Sequence, residues 1–582
     1  MSTSEFSNRL NTALSFLSSL LSAYDKLEMS RRRYIFLVLL PSFVGFGLSI
    51  VLAVVLPLPF LARLPIPLLG LLFVVTAIVY PKVYVSQRRI AIENKFHLVM
   101  THMTVLSTTN VDRMEVFRTL AREEEYGVLA EEIGRVVHLV DTWNQSLDDA
   151  LRRRAQEVPS KALADFFERL GYTIGAGQEL HEFLVNEHEV MMENYITIYE
   201  GSLRNLEVMK DLYMSMILSM TFALVFAIVL PILTGVNPTL TVIGVIAMFM
   251  FVQTGFYFVI RTMAPYDPVW YFPDARVVEN RDLWGALVVG ATGSAALILF
   301  MGFGFLGVGP GLPGLLFFLD NPLPLSLYIA IPVTPLIVTG LVLRREEKLI
   351  HARDEQFPNF IRALGAAESA KQSTTSKVLE TLRQKDFGGL TPALHRLYRR
   401  LNMRLNPDQS WQEFATETKS YLIQKFSEMF LVGRQMGGEP QLLGELISAN
   451  MNTVNQLREQ RRQATTTLIG LLYGITAAAT FAFFIGLEVV NILADLSDDL
   501  DAGDVDRFDF GQIIHAGVYE IPVIEYLLLL VILFNAMLSS LMIRSIDGGN
   551  KATAYIHFVL LTWVGCLTAI LTRVVVQAVL AI

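Results

Sequence analysis

The chain has 582 residues, of which 53% are hydrophobic and only 18% charged, and its mean hydropathy is +0.45. That is too apolar for a water-soluble protein of this size and points to a polytopic membrane protein. The formal charge of −8 argues against whole-protein attraction to nucleic acid, and the single cysteine, Cys566, excludes an intrachain disulfide framework or a CxxC metal ribbon.

A bilayer core about 30 Å thick needs about 20 mostly apolar helical residues, because only a helix satisfies its own backbone hydrogen bonds in lipid. Nine runs meet that length: 34–57, 66–85, 212–235, 239–260, 284–308, 323–343, 466–494, 522–543 and 555–581. The first 30 residues are polar and show no cleavage-site pattern, so the run after Arg31, Arg32 and Arg33 reads as a retained helix. Residues 309–322, VGPGLPGLLFFLDN, read as a loop or short re-entrant piece because of their Gly and Pro. Lys and Arg set the orientation. With the N-terminus inside, the inner flanks hold Arg88, Arg89, Arg261, Arg276, Arg281, Arg344, Arg345, Lys348, Arg544 and Lys551, against little beyond Arg63 and Arg507 outside. The predicted topology is therefore N-in, C-out in a plasma membrane.

The fold class that follows is all-α. It comprises a cytoplasmic segment 1–33, spans 1 and 2 in 34–85, a first cytoplasmic helical bundle at 86–211, and spans 3 to 6 in 212–343. A second bundle at 344–465 leads to spans 7 to 9 in 466–582, with an acidic external loop at 495–521. That loop crowds Asp495, Asp498, Asp499, Asp501, Asp504, Asp506 and Asp509 but lacks the D-x-D-x-D-G spacing of a calcium loop, so it reads as solvated and no metal site is expected.

The two bundles repeat each other. TIGAGQELHEFL at 173–184 pairs with QMGGEPQLLGEL at 435–446, setting Gly175 against Gly437, Ala176 against Gly438, Leu180 against Leu442 and Leu184 against Leu446. Upstream, Phe96, Val99 and Met103 pair with Phe357, Phe360 and Leu364, then Phe117 and Leu120 with Leu379 and Leu382, then Ile133, Val136 and Val140 with Leu394, Leu397 and Leu401. Helical spacing makes each set an apolar stripe. Ser146 with Asp149 and Ser410 with Glu413 match the [ST]-x-x-[DE] capping box that begins a helix. The exit spans echo as well, TFAL at 221–224 against TFAF at 480–483. Gly175, Gly437 and Gly438 are thus expected at a tight turn or close helix contact, and the paired leucines on one packed face.

No motif for chemistry is present. There is no Gly-Lys pair for a phosphate-binding loop, His181–Glu182 and His188–Glu189 lack the second histidine of a zinc protease, and neither G-x-G-D nor G-x-S-x-G occurs. No cofactor and no catalytic residue is expected. Within the spans Glu488, followed by Asn491, is the clearly internal acid, while Glu525 and Arg573 lie near span ends. Basic clusters stand at Arg396, Arg399, Arg400 and Arg404, at Arg458, Arg461 and Arg462, and at Arg152, Arg153 and Arg154. They read either as solvated faces and anionic-lipid contacts or as docking sites for an acidic cytoplasmic protein. Without interleaved aromatic residues they do not read as nucleic-acid sites.

A paired helical bundle, each copy closing on a Gly-containing turn plus L-x-x-x-L and leading into a span, resembles the type II secretion system F family of membrane platforms. Two bundles with extra span pairs in one chain are more similar to the archaeal members, and SLMIRSIDGGNKATAYIHFVLLTWVG at 540–565 looks most like the archaellum version. The resemblance implies a non-enzymatic platform. It would bind a hexameric cytoplasmic secretion ATPase through its bundles, couple it to insertion of pilin-like or archaellin filament subunits, and form a homodimer. A competing expectation is a secondary transporter with cytoplasmic regulatory helical domains, whose repeats should then lie among broken spans.

Overall fold

The structure is a computed structural model that describes residues 31–55, 65–109, 111–234, 237–271, 281–305, 324–371, 375–502 and 520–580. Segments 1–30, 309–322 and 503–519, and with them Arg63 and Arg276, lie outside the described residues. The described residues are predominantly helical, with no strand and one isolated antiparallel bridge between Trp270 and Ser420. They divide into two compact units, one formed by 1–193 with Val432–Glu439, the other by 194–431 with 440–582.

The first unit holds α1 (Leu40–Val55), α2 (Pro65–Ser107), α3 (Arg113–Arg122), α4 (Val128–Trp143), α5 (Leu147–Glu157), α6 (Lys161–Gly175) and the start of α7 (Leu180–Val229). The stripes expected from sequence form its core: Phe96, Val99, Met103, Phe117, Leu120, Ile133 and Val136 are buried, as are Leu180 and Leu184. Phe96 meets Phe166 edge-on at 5.7 Å between centroids. The most deeply buried carboxylate among these helices, Glu132, gathers Arg88 (3.4 Å), Arg135 (3.2 Å) and Arg154. An isolated ion at such depth would be costly, and three cations around it offset the lost hydration.

The second unit continues α7 and adds α8 (Pro238–Met263), α9 (Arg281–Phe305), α10 (Leu327–Val333) and α11 (Leu336–Lys371). The bundle helices α12 (Thr375–Leu382), α13 (Thr391–Asn402), α14 (Pro407–Thr418) and α15 (Tyr421–Gln435) follow, then α16 (Pro440–Ala502), α17 (Ile521–Asp547) and α18 (Ala554–Leu580). The order of elements repeats. In both halves a long helix is followed by a short one, a 3-10 turn (Glu124–Tyr126 and Gly388–Leu390), three more helices and a second long helix. Phe357, Phe360, Leu364, Leu379, Leu382, Leu394 and Leu397 are buried, and the outermost repeat pair, Val140 and Leu401, is half-buried in both copies.

Six helices among the described residues are long and apolar enough to cross a membrane, or seven if the bent pair of α10 and α11 is one span, and Ile35–Val51 is a shorter apolar helix. The count of nine is therefore not confirmed. A second difference is continuity. The boundaries read at 85, 211, 343 and 465 fall inside α2, α7, α11 and α16, so the helices pass from apolar to polar sequence without a break. At 1.5 Å per residue the 63 residues of α16 make a rod about 95 Å long. The helix also continues to Ala502, through the first part of the acidic stretch predicted to be loop.

Candidate coupling site and docking surface

The two phrases that mark the repeat close their helices with the same turn. Gly177 lies at φ +80° and Gly437 at φ +88°, the left-handed region that glycine reaches without a Cβ penalty. The Gly177 amide donates to Ile174 O (3.0 Å) and the Gln178 amide to Thr173 O (3.1 Å); the Gly437 amide donates to Arg434 O (3.1 Å) and the Gly438 amide to Gly433 O (2.8 Å). These are the 5→2 and 6→1 bonds of a Schellman cap. The register is thus Gly177 with Gly437, two residues away from the sequence pairing. Gly175 ends α6, where a Cβ would stand 3.2 Å from Arg152 Nη2 and from Asp148 Oδ2, so it serves a close helix contact. Leu442 and Leu446 are half-buried, while Leu443 and Ile447 take the buried face of α16. The same shift explains the caps: Ser146 begins α5, whereas α14 begins at Asn406, whose side chain accepts from the Asp408 amide at 2.8 Å, and Ser410 lies inside the helix.

The predicted basic surface separates into two kinds of arginine. Arg400, only 16% exposed, is held by Glu413 (2.6 Å) and Glu417 of α14, and Arg396 pairs with Glu417 at 2.8 Å. These two tie α13 to α14. Arg399 and Arg404 are exposed and form no ion pair among the described residues. Arg404 is also held at φ +58°, between exposed Met403 and Leu405. A residue with a Cβ held in that region costs about 1–2 kcal/mol relative to its right-handed conformation. Arg404→Gly is therefore expected to stabilise the protein by about 1 kcal/mol, read as a higher melting temperature in detergent. A lower one would mean that the side chain makes contacts worth more than the strain. In the first unit Arg154 is consumed by Glu132, Arg152 pairs with Asp148 at 2.6 Å, and exposed Arg153 lies 5.9 Å over the exposed Trp143 ring.

The cluster read as a membrane-facing patch has a different role. Arg458 and Arg461 are buried, and only Arg462 is exposed. Arg458 makes a bidentate pair with Asp267 (Nε to Oδ2 2.7 Å, Nη2 to Oδ1 2.6 Å) and reaches Asp354 Oδ2 at 2.8 Å. Ser420 donates its hydroxyl to Asp354. The loop after α8 is stitched to the start of α15 by two backbone bonds, Tyr271 N–H to Lys419 O (2.9 Å) and Tyr421 N–H to Val269 O (3.1 Å). Trp270 Nε1 donates to Glu347 Oε1 at 3.0 Å, and Arg544 and the Asn550 amide (2.8 Å) share the same oxygen. Arg461 donates to the Ser545 (3.3 Å) and Ile546 carbonyls at the end of α17. Gly548 and Gly549, at φ +82° and +79°, let the chain turn tightly beside Arg461 and Arg544. Three arginines therefore fasten α11, α16, α17 and the α8–α9 loop together, and Ser420 and the backbone bonds of the loop tie in the start of α15. Sequence reading missed Asp267, whose only signal is an Asp-Pro between two apolar runs.

One arginine faces two carboxylates here, and the two respond oppositely. Burial opposes ionisation of Asp267, but the Arg458 guanidinium overrides it and holds the carboxyl below its ordinary value. Burial pushes Asp354 up to about 6, against the pull of Arg458. Its folded-state value lies above the unfolded one, so between about pH 4 and pH 6 the folded protein holds a proton that the unfolded chain does not. The contribution of Asp354 thus improves as pH falls through 6, whereas that of Asp267 is full above its unfolded value and is lost as pH falls below it. Melting temperatures at pH 7.5 and 5.5 are expected to show a stabilising increment on acidification that Asp354→Asn lacks; an equal increment in both proteins would refute the assignment.

Within the spans Glu488 is not alone. Arg573 donates to it (Nε to Oε1 2.9 Å) and to Glu525 (3.4 Å), joining α16, α17 and α18. Gln253 of α8 donates to Asn535 (2.6 Å), which donates to Thr476 (3.1 Å). No group of three or more metal-ligating side chains occurs among the described residues.

Known proteins resemble this chain in sequence. The profile of Type II secretion system (T2SS), protein F, matches residues 99–230. Flagella accessory protein J of Methanocaldococcus jannaschii is 31% identical over 524 residues, covering 88% of this chain and 90% of that protein. The chain belongs to the archaeal Flagella accessory protein J family. The protein of that name from Methanococcus voltae is likewise 31% identical, over 89% of this chain and 92% of its own. An uncharacterized protein of Methanocaldococcus jannaschii matches 24% of each chain at 22% identity. No solved structure matches. Family and apolar helices together make this a multi-pass membrane protein, and the family relatives are named as accessory proteins, not as enzymes.

Proposed function

We propose that the chain is the membrane platform of an archaellum or type IV pilus-like assembly machine, without catalytic activity of its own. The N-terminus and both helical bundles, 86–211 and 344–465, lie in the cytoplasm, and the C-terminus lies outside. A hexameric ATPase docks on the bundles, and its movement passes through the spans to the insertion of pilin-like subunits by a homodimeric platform. The observation that carries this reading is α16. It runs unbroken from the second bundle into the apolar region, and where its sequence changes character Arg458 and Arg461 pin it to neighbouring elements. A rod fixed in that way transmits displacement; a hinge there would dissipate it.

Arg399 and Arg404 are the docking cations, since Arg396 and Arg400 are occupied within the bundle. Arg399→Glu with Arg404→Glu in the full-length protein is expected to weaken capture of the ATPase at least tenfold, with an unchanged melting temperature. Undiminished capture would remove this surface from the contact. Arg400→Glu is a poor test, because it breaks the α13–α14 pairing as well.

A further inference from the structure

A cleft of about 340 Å³ opens between α11, α16, the end of α17 and the start of α18. It lies along α11 from Arg344 to Glu355, about 16 Å at 1.5 Å per residue. Its lining includes Ile469 and Ile543, where apolar sequence begins, and the exposed acid Glu355 at the far end of that stretch of α11.

The charges around it are unevenly matched. Arg544 is taken up by Glu347 and Asp547, and among the described residues Arg462 pairs only with Glu459, an exposed neighbour on its own helix, at 3.0 Å. Arg344 and Lys348, one turn apart on α11, are exposed and form no ion pair among the described residues. The uncompensated positive charge therefore sits at Arg344 and Lys348, seven or more residues along α11 from Glu355, an exposed lining acid that likewise forms no ion pair among the described residues. A second feature is independent of charge. Thr553 lines the cleft, is only 4% exposed, and its hydroxyl has no hydrogen-bond partner among the described residues. A buried hydroxyl left unmatched is uncommon and wants an acceptor. The field in the cleft is consistent with this: burial, together with the Arg458 and Arg462 guanidiniums, holds the His351 imidazole down to about 3.

Free guanidinium and ammonium groups, an unmet hydroxyl donor and a neutral imidazole are the donor set for a tetrahedral oxyanion. We propose that this cleft binds a phosphate-bearing anion at the boundary of the spans, held by Arg344, Lys348 and Arg462, with Thr553 donating from its wall. The ligand is the headgroup of an anionic phospholipid or a free phosphate, and both present the same oxygens. A lipid would keep its tails beside Ile469 and Ile543, fastening the platform to its leaflet next to the Arg544–Glu347 pair.

Full-length protein in detergent supplies the test. Native mass spectrometry with phosphatidylglycerol or phosphatidylcholine, and melting curves with inorganic phosphate, are compared for wild type, Arg344→Gln/Lys348→Gln and Thr553→Val. Expected is retention of phosphatidylglycerol over phosphatidylcholine, at least tenfold weaker in the double variant and several-fold weaker in Thr553→Val. Stabilisation by inorganic phosphate that the double variant loses, without preference between the lipids, assigns the site to the free anion. Both outcomes support the anion site. Equal binding of every probe by wild type and double variant overturns it. The two exchanged cations are exposed and unpaired, so the double variant should fold, and an unchanged melting temperature without ligand checks this.

Discussion

Replacing Arg458 by methionine is expected to destabilise the protein by about 3–5 kcal/mol, the usual cost of removing one partner from a buried ion cluster. Arg458 serves two carboxylates at once, and neither has another cation within salt-bridge reach among the described residues. Its removal leaves Asp267 and Asp354 side by side with like charge. The cost should be partly recovered in the triple variant Arg458→Met/Asp267→Asn/Asp354→Asn, which removes the charges together. Chemical denaturation in mild detergent measures both. A loss under 1 kcal/mol for the single variant would show that water enters this junction and that it is not a rigid lock.

The second large effect is expected at Gly365. Here α11 crosses α16 so closely that a Cβ on Gly365 would meet the Pro440 carbonyl, and a Cβ on Gly444 would stand 2.8 Å from the Ile361 carbonyl. Both obstacles are backbone and cannot rotate away. Gly365→Val should therefore force the helices apart, at a cost above the roughly 1–3 kcal/mol typical of overpacked cores. Gly470→Val is the control on α16, since nothing lies within 4 Å of a Cβ there. Limited proteolysis of the second bundle reads the difference; equal resistance in the two variants would contradict the close crossing.

The parts of this fold that were legible in the sequence are those written in periodic apolar residues. Phe357, Phe360 and Leu364 announce a buried stripe whatever surrounds them, and so do their counterparts Phe96, Val99 and Met103. The repeat was legible for the same reason, but its register at the closing turn was not. Matching glycine to glycine chose Gly175, whereas the backbone needs its left-handed residue at Gly177. Residue identity alone is a poor guide to a position defined by φ. The unbroken passage of α2, α7, α11 and α16 from apolar to polar sequence was hidden too, because a change of solvent leaves the helix hydrogen bonds intact and needs no cap. The basic clusters were found, but their occupants were not. Whether an arginine is a free cation or a tether depends on a carboxylate brought from another element: Glu417 for Arg400, Asp267 for Arg458. Asp267 lies 191 positions from Arg458, and no local pattern links them.

As proposed, the chain is a passive platform driven by a motor supplied from outside. Affinity purification of the full-length protein from native membranes, without cross-linking, tests it most directly. Expected is a co-purifying hexameric ATPase, retained by Glu488→Gln and depleted by Arg399→Glu/Arg404→Glu. Absence of any ATPase from well-folded protein, together with gradient-coupled ion flux in liposomes that Glu488→Gln abolishes, would contradict it and make the chain a transporter.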